Sequence, residues 1–148
     1  MNDSDRGQPI TISDQLPRRQ PLVLVTDDHE DTRLLFRMLL GLRGYEVIEA
    51  ADGEQAVQLA ESASPDLILM DGTLPLLDGL GATRRIRKLR NGRKTPIVFI
   101  CGRAEPTFRA IAFDAGCDEL LLKPLNFELL GSVLDKHLGQ ATAAPQTS

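Results

Sequence analysis

Asp27, Asp28, Asp71 and Lys123 each close an apolar run, and that placement gives them chemical meaning. Asp27-Asp28 follows Leu22-Val23-Leu24-Val25-Thr26, Asp71 follows Leu67-Ile68-Leu69-Met70, and Lys123-Pro124 follows Leu120-Leu121-Leu122. Such runs, separated by helix-like segments, read as buried parallel strands. In sheets of that kind the ligand crevice lies beyond the carboxyl ends of the strands. Three carboxylates gathered there repel one another, and a divalent cation relieves the repulsion. A hard cation such as Mg2+ takes carboxylate oxygens and keeps several waters. A carboxylate can attack phosphorus, and a flexible ammonium can meet a phosphate as a point charge. The residue types therefore point to phosphoryl chemistry at a metal site. Each residue also has a plainer role. Either Asp27 or Asp28 could cap a helix, Asp71 could form a turn, and Lys123 could simply be exposed. Two adjacent acids need only one cap, so capping leaves the second unexplained.

The elements that must position these residues follow from pattern. Residues 22–26 read as a strand, followed by a helix with Leu34, Leu35, Met38, Leu39 and Leu42 on one face and Gly44 at its end. Tyr45 to Ile48 reads as a short strand, and Asp52 as the cap of a helix carrying Ala56, Leu59 and Ala60. Ser64-Pro65 breaks that helix before the most apolar strand, 66–70. A helix near 80–90, a strand at Ile97 to Ile100, and a helix opened by Pro106 and ended by Gly116 come next. The fifth strand is Leu120-Leu121-Leu122 and the fifth helix 126–138. Five βα units with short connections predict an α/β fold with a doubly wound parallel sheet.

Composition bounds the class. A chain of 148 residues, 42% hydrophobic and 26% charged, suits one globular domain. A net charge of −4 and a pI near 5.2 argue against nucleic acid as partner. No apolar stretch reaches the length of a membrane span, and the first residues show no secretory pattern. Cys101 and Cys117 have neither metal-ligand spacing nor a disulfide framework, so a reduced, cytoplasmic protein is expected. Residues 1–20 and 139–148 lack periodicity and are expected to be a disordered arm and tail around a folded unit over 21–138.

Taken together, Asp27-Asp28 after the first strand, Asp71-x-x-x-Pro75-x-x-Asp78-Gly79 after the third and Lys123-Pro124 after the fifth resemble the receiver domain of two-component response regulators. The resemblance covers about 21–138. It implies a flavodoxin-like (βα)5 sandwich with strand order 2-1-3-4-5. It also implies Asp71 as phosphoacceptor and Mg2+ as cofactor, held directly by Asp28 and Asp71 and mainly through water by Asp27. The Thr73 backbone carbonyl would be a further ligand, and Lys123 would contact the phosphoryl oxygens. The implied partners are a histidine kinase or histidine phosphotransfer protein and a downstream protein target, since no segment for DNA binding or catalysis follows 138. Two positions depart from the family pattern. Cys101 stands where a Thr or Ser hydroxyl normally meets the phosphoryl group, and Leu120 stands where a Tyr or Phe normally swings. The expected role is a stand-alone receiver in a phosphorelay, with an altered switch.

Other signals compete. A receiver-like binding module independent of phosphorylation fits the Cys101 and Leu120 departures. Asp71-Gly72-Thr73-Leu74 also resembles part of a haloacid-dehalogenase phosphatase motif, but Leu69 sits where that family's nucleophile belongs. Arg84, Arg85, Arg87, Lys88, Arg90, Arg93 and Lys94 read as a solvated basic face or, more sharply, as a site for an anionic partner. Phe113 lies off the face formed by Phe108, Ile111, Ala112 and Ala115; with Leu120 it could form an exposed partner surface or join the core. His29 and His137 read as helix-surface residues with no catalytic meaning.

Overall fold

Leu22–Thr26 (β1) and Leu67–Asp71 (β3) are buried at every residue, as central strands covered on both faces must be. The structure, a computed structural model, describes residues 20–72, 74, 78–103 and 105–139. Helix α1 spans Glu30–Leu42, β2 Glu46–Ala50, α2 Gly53–Ala63, α3 Gly79–Arg87, β4 Ile97–Cys101, α4 Pro106–Ala115, β5 Glu119–Leu122 and α5 Phe127–Leu138. A short 3-10 turn, Arg90–Gly92, follows α3 where the sequence pattern suggested a longer helix. All neighbouring strands are parallel, in the order β2-β1-β3-β4-β5, which is the flavodoxin-like arrangement expected. The expected arm and tail lie outside the described residues except at Gln20 and Gly139, and the described elements begin at Leu22 and end at Leu138.

Side-chain alternation along the strands feeds two cores. Leu24, Ile68, Met70, Ile97, Phe99 and Cys101 pack with residues of α2, α3 and α4 on one face. Val23, Val25, Leu67, Leu69, Val98 and Ile100 pack with α1 and α5 on the other. The helix ends follow local chemistry. Asp52 accepts from Gln55 N at 2.8 Å, Asp78 from Gly81 N at 2.7 Å and Asn126 from Leu129 N at 3.0 Å. Gly44 and Gly116 take φ of 94° and 122° just past α1 and α4, where a side chain would be strained.

Three sequence expectations change. The buried face of α1 is Phe36 and Leu40, with Leu39 half-buried, whereas Leu34, Leu35, Met38 and Leu42 are exposed. Helix α1 carries more apolar residues than one buried stripe can hold. Arg33, on the inward side, donates to Asp27 O at 2.9 Å and Glu49 Oε1 at 3.1 Å, and so turns the Arg33-Phe36-Leu40 stripe toward the sheet. Ile111 is likewise exposed, not part of the buried face of α4. Arg87 is no member of a solvated basic face. It donates to Gly116 O at 2.9 and 2.7 Å, to Gly92 O and Thr95 O at 2.7 Å, and pairs with Asp118 at 2.8 Å. It thereby satisfies carbonyls left over at the end of α4 and in the loop leading to β4. Arg84, Lys88, Arg90, Arg93 and Lys94 do remain exposed.

Candidate functional site

Strands β1 and β3 are neighbours, with Thr26 opposite Met70, so Asp27 and Asp71 emerge side by side at the carboxyl edge of the sheet. Both are nearly closed off, at 5% and 3% exposure. Asp27 is fixed from several sides. Its amide donates to Ala50 O at 3.1 Å, its Oδ1 accepts from His29 N at 2.8 Å, and its carbonyl accepts from Arg33. Arg33 in turn pairs with Glu49, which also meets Arg37. Neither aspartate is the N-cap of α1: that position is His29, whose side chain makes no cap hydrogen bond. Asp27 Oδ1 instead meets the amide of the N-cap residue itself.

Asp27, Asp28, His29 and Asp71 each offer a ligand atom, and these atoms all lie within 4.8 Å of one another. Two of the four are buried, and burial of adjacent carboxylates is costly without a compensating cation. The Lys123 ammonium supplies part of that compensation, with Nζ 3.4 Å from Asp71 Oδ1. Its own amide donates to Cys101 O at 2.7 Å, and the Lys123-Pro124 bond is cis. The site thus gathers Asp27, Asp28, Asp71 and Lys123, as expected from their strand-end positions. The Thr73 carbonyl, the remaining expected ligand, lies outside the described residues.

Two glycines make the close packing possible. A Cβ on Gly79 would lie 2.6 Å from Asp71 O, so α3 can start against the Asp71 backbone only without one. A Cβ on Gly72 would lie 2.9 Å from the Cβ of Cys101, which occupies that space. Cys101 is buried, and its thiol donates to Arg103 O at 3.5 Å. Leu120 is half-buried against the core that contains Cys101 and Phe108, whereas Phe113 is exposed beside the Arg109 guanidinium. The other cysteine, Cys117, is buried near Asp118; burial above all pushes its thiol up to about 12, so it supplies no thiolate.

Sequence reading missed His29, Arg33 and Gly72. His29 directly follows the acidic pair, and that adjacency was the available signal. Arg33 and Gly72 act through packing partners far away in sequence, which no local pattern reveals.

The response regulator receiver domain family matches residues 23–135. The chain belongs to that family. Among relatives, it is 34% identical over 139 residues to the sensor protein EvgS of Escherichia coli (strain K12), covering 94% of this chain and 11% of that protein. It is 35% identical over 104 residues to the alkaline phosphatase synthesis transcriptional regulatory protein PhoP of Bacillus subtilis (strain 168), covering 70% of this chain and 42% of that one. The chain therefore spans less than half of each of these proteins. Among solved structures, the receiver domain of a sensor histidine kinase from Pseudomonas aeruginosa PAO1 is 37% identical with a TM-score of 0.75, covering 81% of this chain and 98% of that one. That structure has a magnesium ion coordinated in its active-site cleft. The Vibrio cholerae chemotaxis protein CheY4 is 30% identical with a TM-score of 0.76, covering 80% and 98%.

Receiver domains are signalling domains of two-component systems, not enzymes in the ordinary sense. The acidic pocket of this receiver suits a hard divalent cation, because oxygen donors converge from two strand ends. The phosphatase reading has no nucleophile here: Leu69 is an apolar residue buried inside β3. Among the described residues no helix is long and apolar enough to cross a membrane.

Proposed function

We propose that this receiver accepts a phosphoryl group on Asp71 from the phosphohistidine of a histidine kinase or histidine phosphotransfer protein. It then signals by contact with a downstream protein in the cytoplasm, without nucleic acid or membrane as partner. The observation that carries this reading is the buried Asp71 carboxylate, set among the donors of Asp27 and Asp28 with the Lys123 ammonium 3.4 Å away. An Asp71 carboxylate oxygen attacks phosphorus; the P–O bond forms as the P–N bond breaks, and the imidazole nitrogen of the donor keeps the electron pair. Lys123 meets the phosphoryl oxygens, and its position beside Asp71 before transfer means little reorganisation is required. Asp27, Asp28, Asp71 and the Thr73 carbonyl would hold Mg2+, which supplies charge neutralisation for the transferring group. Water later hydrolyses the acyl phosphate and restores the carboxylate.

A second reading is a protein-binding module indifferent to phosphorylation. It is favoured by the Cys101 thiol, which is turned to the Arg103 carbonyl, and by the aliphatic Leu120. Intact-mass analysis after incubation with a small phosphodonor and Mg2+ separates the two. A phosphoryl adduct that maps to Asp71 and decays in hours supports the phosphoacceptor. Unmodified protein, under conditions that label another receiver, supports the binding module.

A further inference from the structure

We infer that His29 is a further protein ligand of the metal site and biases it toward first-row transition ions that accept imidazole, Mn2+ among them, over Mg2+. The inference rests on the metal site proposed above and concerns a donor outside the carboxylate set.

The placement of the ring is specific. His29 is the N-cap residue of α1, with extended backbone at φ −100° and ψ 120°, and its side chain makes no cap hydrogen bond. The ring instead turns toward the acids. Nδ1 lies 3.2 Å from Asp27 Oδ1 and 3.1 Å from Asp28 Oδ1. In an octahedral shell with bonds of about 2.1 Å, adjacent donors are separated by about 3 Å. The two Nδ1–oxygen separations match that spacing, and the donors of all four residues fit inside a 4.8 Å span. The same distances let the ring hydrogen-bond to the carboxylates, so little movement separates that arrangement from ligation. The backbone adds rigidity, since His29 N donates to Asp27 Oδ1 and His29 O accepts from Arg33 N at 3.1 Å. The ring is 71% exposed, so an ion can reach it without opening the fold.

The donor type decides the preference. Mg2+ favours oxygen and holds its waters tightly, so an imidazole adds little to its binding. Mn2+ and its heavier neighbours bind nitrogen more readily, with affinity rising along the series. His29 should therefore raise affinity for these ions selectively.

The test uses the full chain, stripped of metal, and titrates it with Mg2+ and Mn2+ by calorimetry in wild type and His29→Gln. Pulsed EPR of the Mn2+-loaded chain reports directly on nitrogen ligation. Expected are nitrogen coupling in wild type that is lost in the variant, and a fall of about tenfold in the Mn2+ to Mg2+ affinity ratio. Magnesium binding should change little. If both ions bind, the ratio is the same in both proteins and no nitrogen coupling appears, the His29 inference is overturned while the metal site stands. A changed ratio without nitrogen coupling also overturns direct ligation. If neither ion binds wild type, the metal site itself fails and the inference with it. The wild-type EPR spectrum decides the point even if the variant does not fold.

Discussion

On one side of the cleft, β1 and β3 bury two carboxylates and hold them with Arg33, Lys123 and the glycine-start of α3. On the other side, β4 and β5 present Cys101 and Leu120, both aliphatic or thiol side chains folded into the core shared with α4. The first flank concentrates charge that is uncomfortable without a cation or phosphoryl partner. The second contributes one ionisable group, Lys123 just past β5, and is otherwise chemically quiet: the β4 end meets its own loop through the Cys101–Arg103 contact, and its packing against Gly72 is close. Under the proposed function, acceptance of a phosphoryl group and its communication across the domain are separable properties. One needs converging ionisable groups; the other needs a side chain with two alternative partners.

The largest effect should come from the acidic flank. Asp71→Asn is expected to abolish labelling by a small phosphodonor, because an amide oxygen cannot serve as the nucleophile. The fold should persist, and thermal stability without metal should equal or exceed wild type, since one charge leaves a crowded buried cluster. Undiminished adduct in the mutant, read by intact mass, would move the acceptor elsewhere.

Next in size is a stability effect at the other end of the quiet flank. Arg87 ties α3 to the end of α4 and to Asp118 before β5, with its guanidinium serving Gly116, Gly92 and Thr95 carbonyls together. Arg87→Met keeps much of the stem packing but leaves those carbonyls unsatisfied. It should cost about 3 kcal/mol in urea unfolding. A loss under about 0.5 kcal/mol would place Arg87 with ordinary surface charges.

A smaller and conditional effect belongs to the metal. At a Mg2+ concentration about ten times its dissociation constant, wild type should gain about 1.4 kcal/mol by mass action. Asp28→Ala should lose most of that gain while its stability without metal changes little, because Asp28 is much the more exposed of the acidic pair. Equal Mg2+ response of the melting temperature in both proteins would locate the ion away from Asp28.

The two flanks were also unequally legible in the sequence. Strand ends Asp27-Asp28, Asp71 and Lys123 could be read because each follows an apolar run that marks a strand, and strand ends share one edge of a parallel sheet; β1 and β3 are buried as expected, whereas β5 lies at the sheet edge with Leu121 buried and Leu122 exposed. Strand β1 was read to the residue, and the helix caps Asp52 and Gly116 were read from local chemistry. What failed was the orientation of α1, where apolar residues cover more of the helix than the sheet can bury, so counting them pointed to Leu34 and Met38 instead of Phe36 and Leu40. Arg87 failed for a related reason: its neighbours Arg84, Arg85 and Lys88 are solvated, and only tertiary contacts with residues about 30 positions away single it out.

The smallest expected effect tests the quiet flank itself. A phosphoryl group on Asp71 can shift the domain between states only by the difference in its interactions with them. Cys101 offers a weaker donor than a hydroxyl, and its thiol already meets the Arg103 carbonyl. Leu120 has no ring to reorient and is half-buried against the core that includes Cys101 and Phe108. A phosphoryl mimic should therefore perturb amide chemical shifts strongly near Asp71 and Lys123 but only slightly along α4 and β5, including Phe113 and Leu120. Cys101→Thr alone should restore the hydroxyl yet leave no space-filling ring to follow it, and Leu120→Tyr alone should add a ring with no signal to move it. The double mutant should enlarge the response in α4 and β5 by more than the two singles combined, because side chains that move together couple. Large wild-type shifts across α4 and β5 would show that thiol and leucine already support a full response. Additive single and double mutants would show that the two flanks communicate by another route.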